Sequence, residues 1–305
     1  MAAEPQAPSI LGFPHRAEWG ATAHRKALAG HLRRCRDHAG IGTRQAARCI
    51  GASESTISRI ENGLASLKTD EVEQLLDEYG VHDPAERRRI ADLVSEAAKP
   101  DPWQPHAHAA PPSLRPLLAM EPAAHRIVSY EPQLVPGWLQ TEEYARIVIQ
   151  AMDPTLPASK VEERVRLRCA RIEMLRRADG PPTLLAVMDS EVLRRMVGAP
   201  GVMYRQITHL LMLLDEMPYA IRLHIAPLAV GAAGAVGHPI VHLRFFAHEY
   251  LPDMVYLEQH EGAVYRDKPS QSERYLAVLN HLVGLATPAD QTASQLREVL
   301  RTWKQ

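Results

Sequence analysis

The stretch from Gly40 to Gly63, which reads GIGTRQAARCIGASESTISRIENG, decides the fold of the N-terminal part of the chain. Its apolar residues recur at intervals of three and four, which predicts one helix over Thr43–Ile50 and a second over Glu54–Asn62. Gly51 lies between them, and glycine adopts at little cost the left-handed backbone that ends a helix. Ser53 is a typical N-cap, because its hydroxyl oxygen accepts a hydrogen bond from a free backbone N–H. The stretch therefore predicts two short helices joined by a tight turn.

Two helices connected in this way form a helix-turn-helix unit, whose second helix enters the major groove of DNA. In the second helix, Ile57 and Ile60 point to one side, and short polar residues occupy the other side. An ordinary solvated helix more often carries Lys and Glu on its outer face. We therefore predict DNA binding by this helix, with a plain αα-hairpin inside a helical bundle as the alternative.

The charges of the N-terminal part are segregated along the chain. The whole protein has a formal net charge of −1, which argues against a uniformly basic nucleic-acid coat protein. Residues 25–59 nevertheless carry a net charge of +6, and residues 60–99 carry −5. A basic segment followed by an acidic one fits a DNA reader that presents one face to phosphates. Chance clustering of charges is the alternative.

The composition indicates in which cellular compartment the protein acts and which cofactors it is expected to lack. The three cysteines are too few and too scattered for a disulfide framework or a zinc site, which indicates a reducing environment. No apolar run approaches the roughly 20 residues of a membrane span, and the N-terminus lacks the apolar core of a signal peptide. We expect a cytoplasmic protein that has no membrane partner, no metal and no cofactor.

Helical and strand patterns predict a mainly α protein with two domains. We expect a flexible arm (1–21), a five-helix lambda-repressor-like DNA-binding domain (22–98), a proline-rich extended linker (99–112), and an α+β domain with a small sheet (113–305). Within the last domain, Ser159 and Glu162 form a capping-box pattern that predicts a long helix to about Arg177.

Two groups of residues resemble a known family. The segment Ser53–Gly63 is similar to the XRE/Cro-type helix-turn-helix. The C-terminal part resembles the trailing domain of unknown function in actinobacterial XRE regulators of the WhiJ type, through Tyr130-Glu131-Pro132-x-Leu134-Val135-Pro136-Gly137-x-Leu139-Gln140-Thr141-x-x-Tyr144-Ala145, the arginine-rich helix Arg164 to Arg177, Asp189-x-Glu191-x-Leu193-Arg194-Arg195, and Val255-Tyr256-Leu257-Glu258. This resemblance, which covers residues 25 to about 300, implies a developmental or antibiotic-production regulator, often encoded beside a small partner protein and discussed as antitoxin-like.

The family pattern also implies roles for individual residues. Base edges would be contacted by Glu54, Ser55 and Arg59, and a guanidinium can fork onto the O6 and N7 acceptors of guanine. A phosphate contact is the alternative for Arg59. The expected phosphate contacts are Thr43, Arg44, Thr56, Ser58 and Asn62. Arg36 and Glu61 would form a structural pair that holds the recognition helix against the first helix.

The sequence therefore predicts a sequence-specific transcriptional regulator that binds double-stranded DNA, as a homodimer on a palindromic operator. The C-terminal domain would serve dimerisation, or the sensing of an effector or partner. The alternative is an antitoxin-like protein that binds a small partner protein and uses DNA binding for autoregulation. We do not expect an enzyme, because neither G-x-S-x-G nor H-E-x-x-H occurs. A ligand or peptide pocket, with ordinary packing as its alternative, would be lined by Tyr130, Trp138, Tyr144, Arg194, Arg195 and Glu258.

Overall fold

The computed structural model describes residues 8–13, 19–101, 103–178, 180–234, 237–246, 250–259 and 261–304. The chain divides into two compact units. The N-terminal unit comprises Met1–Gln104 together with Phe245–Pro252, and the C-terminal unit comprises Pro105–Arg244 and Asp253–Gln305. Among the described residues, no helix is both long enough and apolar enough to cross a membrane.

The N-terminal unit is built from five helices in its described residues. They are α1 (Ala21–His38), α2 (Thr43–Cys49), α3 (Glu54–Glu61), α4 (Thr69–Glu78) and α5 (Pro84–Ala97). The turn between α2 and α3 forms as its sequence predicts, because Gly51 has a φ of +64° and the Ser53 hydroxyl accepts a hydrogen bond from Thr56 N at 3.1 Å. The predicted five-helix domain is therefore confirmed.

The segment before α1 differs from the predicted flexible arm. Ile10, Phe13 and Trp19 are buried in the N-terminal unit, and the rings of Phe13 and Trp19 meet edge to face, with centroids 5.3 Å apart. Glu86 of α5 accepts hydrogen bonds from the backbone N of Ile10 at 2.6 Å and from the Ser9 hydroxyl at 2.8 Å. The described part of this segment is fixed by apolar burial and by one carboxylate, and the rest of the predicted arm lies outside the described residues.

A segment from the second half of the chain, Phe245–Pro252, completes the N-terminal unit. Tyr250 is buried, its ring lies 5.7 Å from that of Phe13, and the Arg34 guanidinium lies 3.8 Å from its ring centroid. Gly30 of α1 permits this approach, because a Cβ at that position would lie only 2.7 Å from the Tyr250 carbonyl oxygen.

The proline-rich linker also differs from the predicted extended spacer. It contains a short 3₁₀ turn at Gln104–His106, and Ala109 and Ala110 are buried. Asp101 accepts hydrogen bonds from the backbone N of Thr22, at 3.0 Å, and from its hydroxyl, at 2.8 Å. The prolines alone indicate an extended segment. The burial of Ala109 and Ala110 and the hydrogen bonds of Asp101 instead hold parts of it against the folded chain.

A six-stranded mixed sheet forms the centre of the C-terminal unit, in the order β3-β2-β1-β4-β5-β6. The strands are β1 (Arg126–Glu131), β2 (Thr183–Asp189), β3 (Ile221–Ala226), β4 (Ile240–Arg244), β5 (Met254–Gln259) and β6 (Gly262–Arg266). The pairs β1–β2 and β2–β3 are parallel, and the pairs involving β4, β5 and β6 are antiparallel. The predicted α+β class is confirmed.

Helices surround this sheet, and their described bounds are α6 (Arg115–Met120), α7 (Glu142–Met152), α8 (Ala158–Ala170), α9 (Pro200–Glu216), α10 (Pro269–Leu285) and α11 (Ala289–Thr302). The long helix predicted to reach Arg177 is wrong, because α8 ends at Ala170 and a 3₁₀ segment follows over Arg171–Arg176. The predicted capping box is absent too, since Glu162 instead pairs with Arg146.

Candidate nucleic-acid interface

Helix α3 has a buried face and an exposed polar face. Ile57 and Ile60 are buried in the N-terminal unit, whereas Glu54, Ser55, Ser58, Arg59 and Asn62 are exposed and Thr56 is half-buried. Arg59 makes no side-chain hydrogen bond or ion pair within the described residues. The exposed face of α3 therefore offers a free guanidinium together with short hydroxyl side chains.

Arg36 of α1 and Glu61 of α3 are in bidentate contact. Arg36 Nη2 lies 3.0 Å from Glu61 Oε2, and Arg36 Nε donates to Oε1. The side chains are only 10% and 8% exposed, and Arg36 Nη1 also donates to the Ile41 carbonyl at 2.8 Å. The hydrogen bonds that Arg36 donates to Glu61 are the main cause that raises the pKa of Arg36 above its usual range. The pair ties α3 to α1 and fixes the angle between the two helices.

Three residues assigned to DNA contacts bind one another in the DNA-free protein. Glu54 accepts a hydrogen bond from the Thr43 hydroxyl at 3.0 Å and from Arg44 Nε at 3.0 Å. The Arg44 contact, with a smaller contribution from Thr43, lowers the pKa of Glu54. The carboxylate therefore neutralises a guanidinium that was predicted to meet phosphate.

Three other predicted contact residues, Ser55, Thr56 and Asn62, form local hydrogen bonds through their side chains. The Ser53 hydroxyl lies 2.8 Å from the Ser55 hydroxyl and 2.9 Å from the Thr56 hydroxyl. Asn62 Nδ2 donates to the Ser58 carbonyl at 2.6 Å. Hydroxyl groups that bond to one another exchange partners without moving far, so these residues remain suited to contact phosphate oxygens.

Replacing Glu54 with glutamine is expected to raise the affinity for random-sequence duplex DNA several-fold. The change removes one negative charge and releases Arg44 for a phosphate contact, and the slope of log affinity against log salt should steepen by about one. Fluorescence anisotropy at several salt concentrations measures both quantities. Glu273→Gln, which removes an exposed charge from α10, is the matched control. An unchanged salt slope would show that the Arg44–Glu54 contact does not compete with DNA.

The C-terminal unit contains a cavity of about 980 Å³, and it includes only part of the predicted pocket. Trp138 and Glu258 line it. Tyr130 and Tyr144 are instead fully buried: the Tyr130 hydroxyl bonds to Asp189 at 3.1 Å, and the Tyr144 hydroxyl accepts from Val135 N at 3.3 Å. Arg194 and Arg195 are exposed and do not line the cavity. Four of the six predicted residues therefore do not line this cavity, because the two aromatic rings lie in the core and the two arginines lie on the surface.

Three charged residues that line this cavity, Glu131, Arg168 and Arg171, were not among the predicted site residues. Burial raises the pKa of Glu131 to about 8, with a further rise caused by Glu258 and an opposing effect of Arg168 and Arg171. Burial also lowers the pKa of Arg168. The sequence contained one signal for this site. Glu131, in the motif Tyr130-Glu131-Pro132, is a carboxylate at the end of a strand and directly before a proline.

The two units match two known domain families. Residues 27–90 match a helix-turn-helix domain, and residues 114–298 match a domain of unknown function, DUF5753. Neither a curated protein nor a solved structure matches the chain. The helix-turn-helix domain supports a DNA-binding regulator. Because the second match spans more than half of the residues, the chain belongs to the DUF5753 family, as a member with an N-terminal helix-turn-helix domain.

Proposed function

We propose that the protein is a sequence-specific transcriptional regulator that acts in the cytoplasm and inserts α3 into the major groove of its operator. The observation that carries this proposal is the exposed polar face of α3, where Arg59 has no partner within the described residues and Ile57 and Ile60 fix the opposite face in the core. Arginine is suited to read guanine, because its planar fork matches the O6 and N7 acceptors.

The remaining residues of the surface divide into readers and anchors. Glu54 and Ser55 stand in the first turn of α3 and are proposed to read bases with Arg59. Glu54 must then exchange Thr43 and Arg44 for a cytosine amino group. Released from that contact, Thr43 and Arg44 are proposed to join Thr56, Ser58 and Asn62 as phosphate contacts.

Replacing Arg59 with alanine is expected to cost about 1–3 kcal/mol of binding free energy on the operator and much less on random DNA. Footprinting on genomic fragments around the gene of this protein first locates the operator, and anisotropy titrations then compare the two duplexes. Arg48→Ala, which removes an exposed arginine of α2, is the matched control and should affect both duplexes alike. An equal loss on both duplexes in Arg59→Ala would make Arg59 a phosphate contact.

We also propose that the regulator binds as a homodimer to a palindromic operator, since one short helix reads few base pairs and related folds gain affinity on half-sites about one helical turn apart. The C-terminal unit is the proposed site of dimerisation, or of sensing an effector or a small partner protein, and no catalytic step is assigned to it. A footprint that covers a single half-site, or sedimentation as a monomer on the operator, would overturn the dimer.

A further inference from the structure

The cavity of the C-terminal unit has the size of a small-molecule site. Its volume of about 980 Å³ lies at the upper end of the range of roughly 300–1,000 Å³ that is typical of ligand pockets. Its wall combines apolar side chains, among them Leu117, Val148 and Trp138, with a few charged groups. The indole N–H of Trp138, which is itself buried, has no acceptor among the described residues.

The register of the sheet brings two carboxylates of this wall to the same face. Tyr130 of β1 lies opposite Ile240 of β4, and Ile240 lies opposite Leu257 of β5. Glu131 follows Tyr130 by one position, and Glu258 follows Leu257 by one position. Successive side chains of a strand point to opposite faces of the sheet, so Glu131 and Glu258 both lie on the face opposite to that of Tyr130 and Leu257. Only β4 separates their strands, which places the two backbones about 10 Å apart.

The charges around these carboxylates do not balance. Arg171 donates to Glu121, with Nε 3.1 Å from Oε2, and Glu121 is 2% exposed. Arg168 is the other nearby guanidinium, and its Nη1 donates to the Gln140 side chain at 2.9 Å. Glu131 and Glu258 make no hydrogen bond or ion pair through their side chains within the described residues. Three carboxylates therefore face two guanidinium groups, and one positive charge is missing.

The two other arginines that line the cavity do not supply this charge. Arg164 lies 3.8 Å from Asp153, so this pair is neutral by itself. Arg266 of β6 lies opposite Val255 of β5, so its side chain is on the face of the sheet opposite to that of Glu258, and it donates to the Tyr265 carbonyl at 3.3 Å. His238 also lines the cavity. In the empty cavity a proton on Glu131 restores the balance, in accordance with the raised pKa of this residue.

We propose that the cavity binds a small organic amine, whose ammonium group lies between Glu131 and Glu258 and whose apolar body packs against the apolar wall. The ammonium supplies the missing positive charge and replaces the proton on Glu131. This site does not depend on DNA binding. Only its use as the effector site of the regulator rests on the proposed function.

Calorimetry with the full-length protein and without DNA tests the proposal by means of three probes that share one ring. They are tryptamine, the neutral alcohol tryptophol and the anion indoleacetate. Tryptamine is expected to bind at least about tenfold more tightly than tryptophol, and indoleacetate more weakly than either, since a pair of partly buried carboxylates favours a cation and repels an anion. A tryptamine affinity equal to or below that of tryptophol, or no binding of any of the three probes, overturns the proposal.

Proton linkage and variants provide the second test. Between about pH 6 and pH 8, tryptamine binding must displace the proton of Glu131, so its affinity is expected to rise up to about tenfold for each pH unit. In Glu131→Gln and in Glu258→Gln the preference for tryptamine over tryptophol should fall at least about fivefold, and in Glu131→Gln the pH dependence should flatten. Glu143→Gln, whose residue pairs with Arg205 outside the cavity, should bind as the unaltered protein does. An unaltered preference in both cavity variants would overturn the proposal.

Discussion

Replacing Glu61 with alanine is expected to lower the free energy of unfolding of the N-terminal unit by about 3–5 kcal/mol, because the change leaves Arg36 as a buried charge without its partner. Arg36 is only 10% exposed, and its other contacts are the Ile41 carbonyl and the more exposed Asp37. Neither replaces the two parallel hydrogen bonds that Glu61 accepts. The loss should also weaken operator binding, because α3 is held against α1 by this pair.

Urea unfolding monitored by circular dichroism measures this effect, and Glu54→Ala is the matched control. Glu54 also accepts a hydrogen bond from an arginine, but both partners of that pair are largely exposed, so its loss should cost less than about 1 kcal/mol. Glu61→Gln keeps the shape of the side chain and should fall between the two. If Glu61→Ala unfolds at the same urea concentration as the unaltered protein, the structural role assigned to the pair is wrong.

Replacing Glu131 with glutamine is expected to stabilise the empty C-terminal unit at alkaline pH by about 2–4 kcal/mol. The pKa of Glu131 rises from 4.5 in the unfolded chain to about 8 in the folded protein. The folded state therefore holds a proton that the unfolded state releases at lower pH. Stability falls as the pH rises from 4.5 to 8, and the full cost of the buried charge is present above pH 8. Glutamine carries no such charge.

Thermal unfolding of both proteins across this pH range tests the sign. The gain in Glu131→Gln should be largest near about pH 8.5 and should shrink as the solution becomes acidic. Glu143→Gln, in which an exposed carboxylate is replaced, should show only a small effect without this trend. A gain that is independent of pH would mean that Glu131 titrates normally in the folded protein.

Local signals explain how much of the fold was predictable. Ser53 was predicted as an N-cap, and its hydroxyl accepts a hydrogen bond from a backbone N–H at the start of α3. Helix caps, turns and short apolar runs depend on neighbours in the sequence, and a single sequence contains that information.

Contacts between distant residues explain what was missed. The order of the sheet depends on pairings such as β1 with β4, more than a hundred residues apart, which no local pattern specifies. Arg171 was predicted to lie within a long helix, but α8 ends before it, and its side chain binds Glu121, fifty positions earlier in the sequence. Ile10 and Phe13 stand in a proline-rich stretch whose composition indicates mobility, yet the N-terminal unit buries them.

The two candidate sites differ in the same way. The DNA-binding face follows from helical spacing in one short stretch, so its residues were predictable by number. The cavity is assembled from β1, β5, α8 and the segment after it. Its predicted set therefore contained conspicuous aromatic residues that pack in the core, and omitted Glu131 and Arg168, whose environment arises only in the folded chain.

The segment Phe245–Pro252 means that the DNA-binding unit is not a continuous piece of polypeptide. Strands β4 and β5 lead directly into and out of a segment whose Tyr250 packs against Phe13 and Arg34. A fragment that stops at Gln104 would lack this tyrosine, and its absence would uncover the part of Phe13 and of the Arg34 guanidinium that packs on the Tyr250 ring. If a protease cleaves the chain near Gln104, we expect the two pieces to stay associated until they are denatured. A shortened version of the DNA-binding unit should therefore keep the segment Phe245–Pro252 and should not simply end at the proline-rich linker.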